Sequence, residues 1–134
     1  MNTEIFNLIE RFAAEVGHVF IATADNKGQP HIAAAGRLAQ TPDKHFSVTE
    51  WFCPRTLSNL QVNSKLSLVV WDSKTDSGYQ VIGELEGIKD IGIVDGYAPK
   101  IEGKAVVPQV ERQLLLHVNK ILDFKRSPHT DLEL

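Results

Sequence analysis

The spacing of apolar residues changes early in the chain, and that change limits the folds open to it. Residues 3–16 place Ile5, Leu8, Ile9, Phe12, Ala13 and Val16 on one helical stripe with Glu4, Glu10, Arg11 and Glu15 off it, and Gly17 is a natural stop. From His18 onward the apolar residues fall mostly in strand-length runs separated by turn signals. His18–Ala24 and His31–Ala39 flank Asp25-Asn26-Lys27-Gly28, which predicts a hairpin with a tight turn and a glycine bulge. Thr41-Pro42-Asp43-Lys44 suits a type I turn, and Phe46–Thr49 follows, so three consecutive strands are expected to form an antiparallel meander.

Residues 54–62 predict a short helix with Pro54 in the first helical position and Asn63-Ser64 at its end. Leu66–Trp71 and Tyr79–Ile91 read as strands joined by the polar loop Asp72–Gly78. Gly92–Pro108 reads as a loop with one helical turn at most, Leu114–Phe124 as a final strand, and Arg126–Leu134 as a tail that frays or lies on the surface. Six strands and two helices that do not alternate exclude a doubly wound sheet. The pattern predicts a mainly β (α+β) domain spanning residues 1–134, a small closed or partly closed antiparallel barrel, since closure removes exposed edges.

Charge narrows the function. The chain of 134 residues carries 14 Lys+Arg against 17 Asp+Glu, a formal net charge of −3, so a general basic field for nucleic acid is absent. Residues 1–66 hold six charges of each sign, which leaves the acidity downstream. An anion must therefore be held by a few placed groups. No run approaches the roughly 18 apolar residues of a membrane span, and Glu4 and Glu10 are unlike a secretion signal. With Cys53 as the sole cysteine, the expected setting is the reducing cytoplasm. The five histidines, His18, His31, His45, His117 and His129, show no zinc-type spacing. Nothing in the sequence marks Cys53 as activated, and Glu84, Glu86 and Asp90 alternate as a solvated face.

The most informative segment is Thr49-Glu50-Trp51-Phe52-Cys53-Pro54-Arg55-Thr56-Leu57-Ser58-Asn59. If Pro54 opens a helix, Arg55 and Thr56 occupy a first turn whose unpaired N–H groups and dipole favour an anion. Arg55 adds a forked cationic donor and Thr56 a hydroxyl, the donor set of a phosphate monoester site, and Arg37 from the neighbouring strand offers a second guanidinium. Taken alone, an Arg in a first helical turn is more often simply solvated.

From Gly28 to Asp72 the sequence resembles the flavin-mononucleotide-binding split barrels of the pyridoxamine phosphate oxidase-like superfamily. The resemblance lies in the order of Gly28-Gln29-Pro30, the strand Ala33–Leu38, Val48-Thr49-Glu50-Trp51, the helix start Pro54-Arg55-Thr56-Leu57-Ser58-Asn59-Leu60, and the strand Leu66–Asp72. It extends more loosely through Tyr79–Glu86 and Leu114–Lys125. The resemblance implies a Greek-key-like split barrel, flavin mononucleotide (FMN) as cofactor, and a homodimer with the cofactor in the groove between two barrels. It implies phosphate contacts from Arg55 and Thr56, with Arg37 adding a further one. Backbone at Ala34, Ala35 and Gly36 and at Thr49, Glu50 and Trp51 would line the ribityl chain and ring. The small residues of that run also suit a tightly packed barrel interior. Trp51, Phe52, Trp71 and Tyr79 are candidate aromatic walls, though each singly is more often core.

Pro54 stands where the family usually has Ser or Thr, and Thr56 where Lys is commoner. No counterpart to the Arg-containing substrate motif of true pyridoxamine phosphate oxidases is found, so oxidation of a B6 vitamer is not expected. The expected function is a flavin redox protein or oxidoreductase acting with a small-molecule redox partner, the chemistry being the cofactor's. The alternative is a non-enzymatic module on the same barrel that holds haem, a deazaflavin or a partner.

Overall fold

The computed structural model describes residues 2–51, 53–94 and 109–134. Phe52 and the 95–108 part of the expected loop lie outside the described residues. Helix α1 (Thr3–Val16) starts on Asn2, whose side-chain oxygen accepts from the Ile5 N–H, and stops at Gly17. Gly17 takes φ 93 and its N–H reaches the Ala13 carbonyl at 2.8 Å, a left-handed cap that glycine adopts without strain. The helix buries Phe6, Ile9 and Ala13 against the strands, with the Phe6 ring stacked 4.9 Å from that of Phe46. The Gln40 N–H donates to the Glu10 carboxylate at 2.8 Å and fixes the helix along the sheet.

The strands are β1 (Val19–Ala24), β2 (Pro30–Ala35), β3 (Arg37–Thr41), β4 (His45–Thr49), β5 (Lys65–Asp72), β6 (Ser77–Val94) and β7 (Gln109–Asp123), with helix α2 (Pro54–Val62) between β4 and β5. They form one antiparallel sheet in the order β2-β1-β5-β6-β7-β4-β3. The two ends of that order, β2 and β3, are separated in the chain by Gly36 alone. One intervening residue spans at most about 7 Å between the flanking Cα atoms. The sheet therefore curls until its edges meet, and the result is the expected split barrel. Its interior is filled by side chains such as Ile21, Phe46, Val48, Leu68, Val81, Leu114, Leu116 and Ile121.

Two expectations are corrected. The run His31–Ala39 is two strands, so there are seven in all, and the meander is replaced by two hairpins, β1–β2 and β3–β4, at opposite ends of the sheet order. The break falls at Gly36, whose N–H donates to the Glu50 carbonyl at 3.1 Å and where an added Cβ would sit 2.9 Å from that of Glu50. The turn after Thr41 is not type I, because Asp43, its third residue, takes φ 64 where that turn needs a negative value; Lys44 after it is also left-handed at φ 64. The tail from Arg126 to Leu134 lies on the surface, one of the two forms expected, and is tied down there: Asp76 accepts from the N–H groups of Arg126 and Ser127, and the Leu134 N–H reaches the Ile121 carbonyl at 2.9 Å.

On the outer side of the β4–β7–β6 ladder, His45 stands opposite His117, and its Nε2 lies 2.8 Å from the Glu86 carboxylate. Burial pulls the imidazole pKa down, but Glu86 and the carbonyls of Pro42 and Asp43 outweigh it and hold it above its ordinary value. Asp90 likewise meets Arg112 at 3.1 Å, so this face is solvated but not free of ion pairs.

Two stability predictions follow from this geometry. At Gly83 an added Cβ would collide with the His117 carbonyl oxygen and a Leu116 methyl, whereas at Gly87 it would meet nothing within 4 Å. Gly83→Ala should cost about 1–3 kcal/mol in chemical unfolding and Gly87→Ala no more than about 0.5 kcal/mol. A raised folded-state pKa contributes stability below the ordinary histidine value, near 6.5, and that contribution is lost as pH rises through the raised value. Urea midpoints should therefore fall from below pH 6.5 upward in wild type, with a shallower fall in Glu86→Gln.

Candidate functional site

Helix α2 forms where the chain leaves β4. Glu50 takes φ 60, Cys53 is extended at the N-cap, and Pro54 supplies a pre-set first helical residue. The helix lies over the end of the β1–β2 hairpin, with Thr56, Asn59 and Leu60 turned inward. Asn59 Nδ2 donates to Thr23 Oγ1 at 3.0 Å, a buried bond that sets the helix against β1.

Beside its first turn is a cleft of about 260 Å³ lined by Asp25, Gln29, Pro30, His31, Arg55 and Asn59. Arg55 is exposed and has no ion-pair partner among the described residues. The Asp25 carboxylate is turned into its own loop, where it accepts from the N–H groups of Lys27 and Gln29 at 2.8 and 2.9 Å. Among the described residues, two buried polar atoms at this end of the molecule, His31 Nδ1 and Thr56 Oγ1, have no oxygen or nitrogen hydrogen-bond partner. An unpaired guanidinium at the start of a helix is a donor that fits a phosphate.

The cleft opens onto an apolar lane. Alternation along β2 turns Pro30, Ile32 and Ala34 outward, and the register sets Phe20 of β1 beside Ala34 and Val69 of β5 beside Phe20. Ile32 is 67% exposed and Phe20 44%. Pro30 belongs to both the lane and the cleft, so the two are continuous.

The residues singled out from sequence are distributed unevenly. Arg55 is at the cleft, whereas Arg37 lines a different one with Glu10, Ala13, Ala14 and Gly36. Thr56 is fully buried, its hydroxyl turned inward. Ala34 is exposed in the lane, Ala35 is buried, and Gly36 is at the strand break. Thr49 is half-buried and Glu50 exposed, while the Trp51 side chain is wholly enclosed in the core. Trp71 and Tyr79 do not join as a wall, since Trp71 donates to Asp76 at 3.0 Å and Tyr79 meets the edge of Phe12. Phe52 lies outside the described residues.

His31 and Asn59 were missed as site residues. Asn59 carried a signal, four residues after Arg55 on one helix face. His31 joins the site through a hairpin register that sequence alone does not give. Among the described residues there is no group of three or more His, Cys, Asp and Glu able to hold a metal, and no helix long and apolar enough to cross a membrane.

A family model described as pyridoxamine 5'-phosphate oxidase matches residues 7–117. Solved structures with the same fold include HupZ of Group A Streptococcus, at 24% identity and a TM-score of 0.62, covering 97% of this chain and 98% of that one. An FMN-binding protein from Syntrophomonas wolfei subsp. wolfei aligns at 17% identity and 0.63, covering 92% and 88% respectively. A Clostridium acetobutylicum protein related to general stress protein 26 of B. subtilis, of the pyridoxinephosphate oxidase family, aligns at 15% and 0.65, covering 100% and 96%. No curated protein matches the chain.

The helix anchor is open to a direct test. Asn59→Ala leaves the Thr23 hydroxyl buried without its donor and should cost about 1–3 kcal/mol. In Asn59→Ala/Thr23→Val, where both polar groups are gone, unfolding midpoints should recover part of that loss.

Proposed function

The chain belongs to the pyridoxamine 5'-phosphate oxidase family, and from that premise we propose that it is a flavin-mononucleotide-binding redox protein whose cofactor phosphate is held at the start of α2. The observation that carries this reading is the continuity, through Pro30, of the Arg55 cleft with the outward lane of Ile32, Ala34 and Phe20. A phosphate needs fixed donors, and a planar ring needs an apolar surface that approaches closely. Ala34 meets the second need, because its small side chain lets a ring come near the strand.

In this arrangement Arg55 binds and orients the phosphate at the positive end of α2. The lane excludes water from one face of the ring, and Asn59 holds the helix at its depth over β1. When bound, flavin mononucleotide supplies hydride or single-electron transfer through its ring. A cleft of about 260 Å³ accommodates a phosphate and part of a ribityl chain, but below about 300 Å³ it is smaller than a usual cofactor pocket. The other face of the ring therefore calls for a second wall. The exposed lane, with Ile32 the most exposed of the large apolar side chains among the described residues, suits a second copy of this chain, giving a homodimer with the cofactor between barrels.

Fluorescence titration separates the parts of the proposal. Arg55→Ala should weaken flavin mononucleotide by about 10-fold or more, the loss of one charge-assisted contact of roughly 1.5–3 kcal/mol, and leave riboflavin affinity unchanged because riboflavin has no phosphate. Ile32→Lys should convert a dimer to a monomer in sedimentation and weaken both flavins. Failure of wild type to bind added flavin mononucleotide would overturn the reading.

A further inference from the structure

Cys53 itself has no part in the flavin reading. It is half-buried at the N-cap of α2, with Sγ 3.9 Å from Nε2 of His31 across the gap to β2. Burial pushes the thiol pKa up, but the Thr56 hydroxyl, the N–H groups of Thr56 and Arg55, and the Arg55 charge outweigh it and hold the thiol below its ordinary value. Asp25 is the other charged group lining the adjacent cleft, and its carboxylate is engaged by its own turn.

The enclosure of Thr56 is a second sign. Its side chain is fully enclosed, the group it faces is the thiol, and among the described residues Oγ1 has no oxygen or nitrogen partner. A buried hydroxyl donor beside a sulfur, which accepts only weakly, is short of one good acceptor. His31 repeats the pattern. Its Nδ1 is buried and unpartnered, and since an orphaned N–H is rarer than an orphaned lone pair, bonding logic assigns the ring proton to Nε2, towards sulfur.

We propose that Cys53 is a peroxide-reactive cysteine, with His31, Thr56 and the first turn of α2 forming its activating site and small hydroperoxides as its substrate class. Sγ attacks one oxygen of the O–O bond; that bond breaks, an S–O bond forms, and the sulfur is oxidised by two electrons to a sulfenic acid. The hydroperoxide is reduced to water or an alcohol, and the thiol proton leaves on the departing oxygen. The oxygen gained by sulfur is the acceptor that Thr56 lacks, within the field of Arg55 and the helix N-terminus. The chain has no second cysteine, so no internal disulfide follows and the sulfenic acid awaits an external thiol. None of this depends on flavin binding.

The test treats the whole chain with hydrogen peroxide and a 1,3-diketone trap at pH 7 and follows intact mass. Because Cys53 is the sole cysteine, one trapped adduct reports it. Adduct should form about 10-fold faster than in the same chain unfolded in guanidinium chloride, as expected when the thiolate share rises from a few per cent. His31→Gln and Thr56→Val should each slow the folded rate several-fold and leave the unfolded rate unchanged. A folded rate no greater than the unfolded one, or a folded His31→Gln variant that reacts like wild type, overturns the proposal. Thr56 is enclosed and its variant is open to misfolding, so the half-exposed His31 decides the outcome.

Discussion

The barrel depends on the approach of Glu50 to Gly36. The bond from the Gly36 N–H to the Glu50 carbonyl joins the point where β2 becomes β3 to the point where β4 gives way to α2. A side chain at residue 36 would meet the β-carbon of Glu50 at 2.9 Å, inside any real contact distance, and so would push these two points apart. With glycine there, one continuous stretch of chain supplies both edges of the sheet. The edge problem of a seven-stranded antiparallel sheet is thereby solved without a covering element, and α1 and α2 are left to fill the rest of the structure.

The same junction decides where charge can act. Because the chain turns at Gly36, Ala34 and Arg37 are three residues apart yet belong to different surroundings, the apolar lane in one case and a cleft against α1 in the other. Glu50, at φ 60, turns the other strand so that α2 begins beside the β1–β2 turn. Arg55 therefore faces the hairpin tip and not its fellow arginine. A protein with a net charge of −3 can present a local anion site in this way, since the one carboxylate lining the Arg55 cleft, Asp25, is spent on its own loop.

Both helices were legible to the residue because their ends are chemical. Gly17 and Pro54 act locally, so 3–16 and 54–62 are read without knowing the tertiary structure. The split of β2 from β3 was not legible. Ala33-Ala34-Ala35-Gly36-Arg37-Leu38-Ala39 looks like one apolar run, and what breaks it is a contact with Glu50, fourteen residues away. The turn after Thr41 failed for a related reason: Pro42 sets its own φ, but the left-handed φ of Asp43 and Lys44 is imposed by pairing Thr41 with His45. In the site, Arg55 was legible from the proline before it, whereas the inward turn of Thr56 depends on how deeply Asn59 seats the helix on Thr23.

That seating gives two adjacent first-turn residues different work. Arg55 and Thr56 are neighbours in a motif read as one phosphate-contacting pair, but successive helical positions are rotated by about 100°. If one faces the cleft, the next cannot face it equally. The Asn59 anchor fixes the rotation with Thr56 inward, and the hydroxyl then meets the sulfur of Cys53 where solvent would otherwise be. The small, uncharged threonine is consistent with that position, since a lysine there would bury its ammonium without a carboxylate among the residues lining the adjacent cleft that is free to pair with it. The departure from a commoner basic residue thus follows from the packing depth of α2, and it leaves Arg55 as the donor that faces outward.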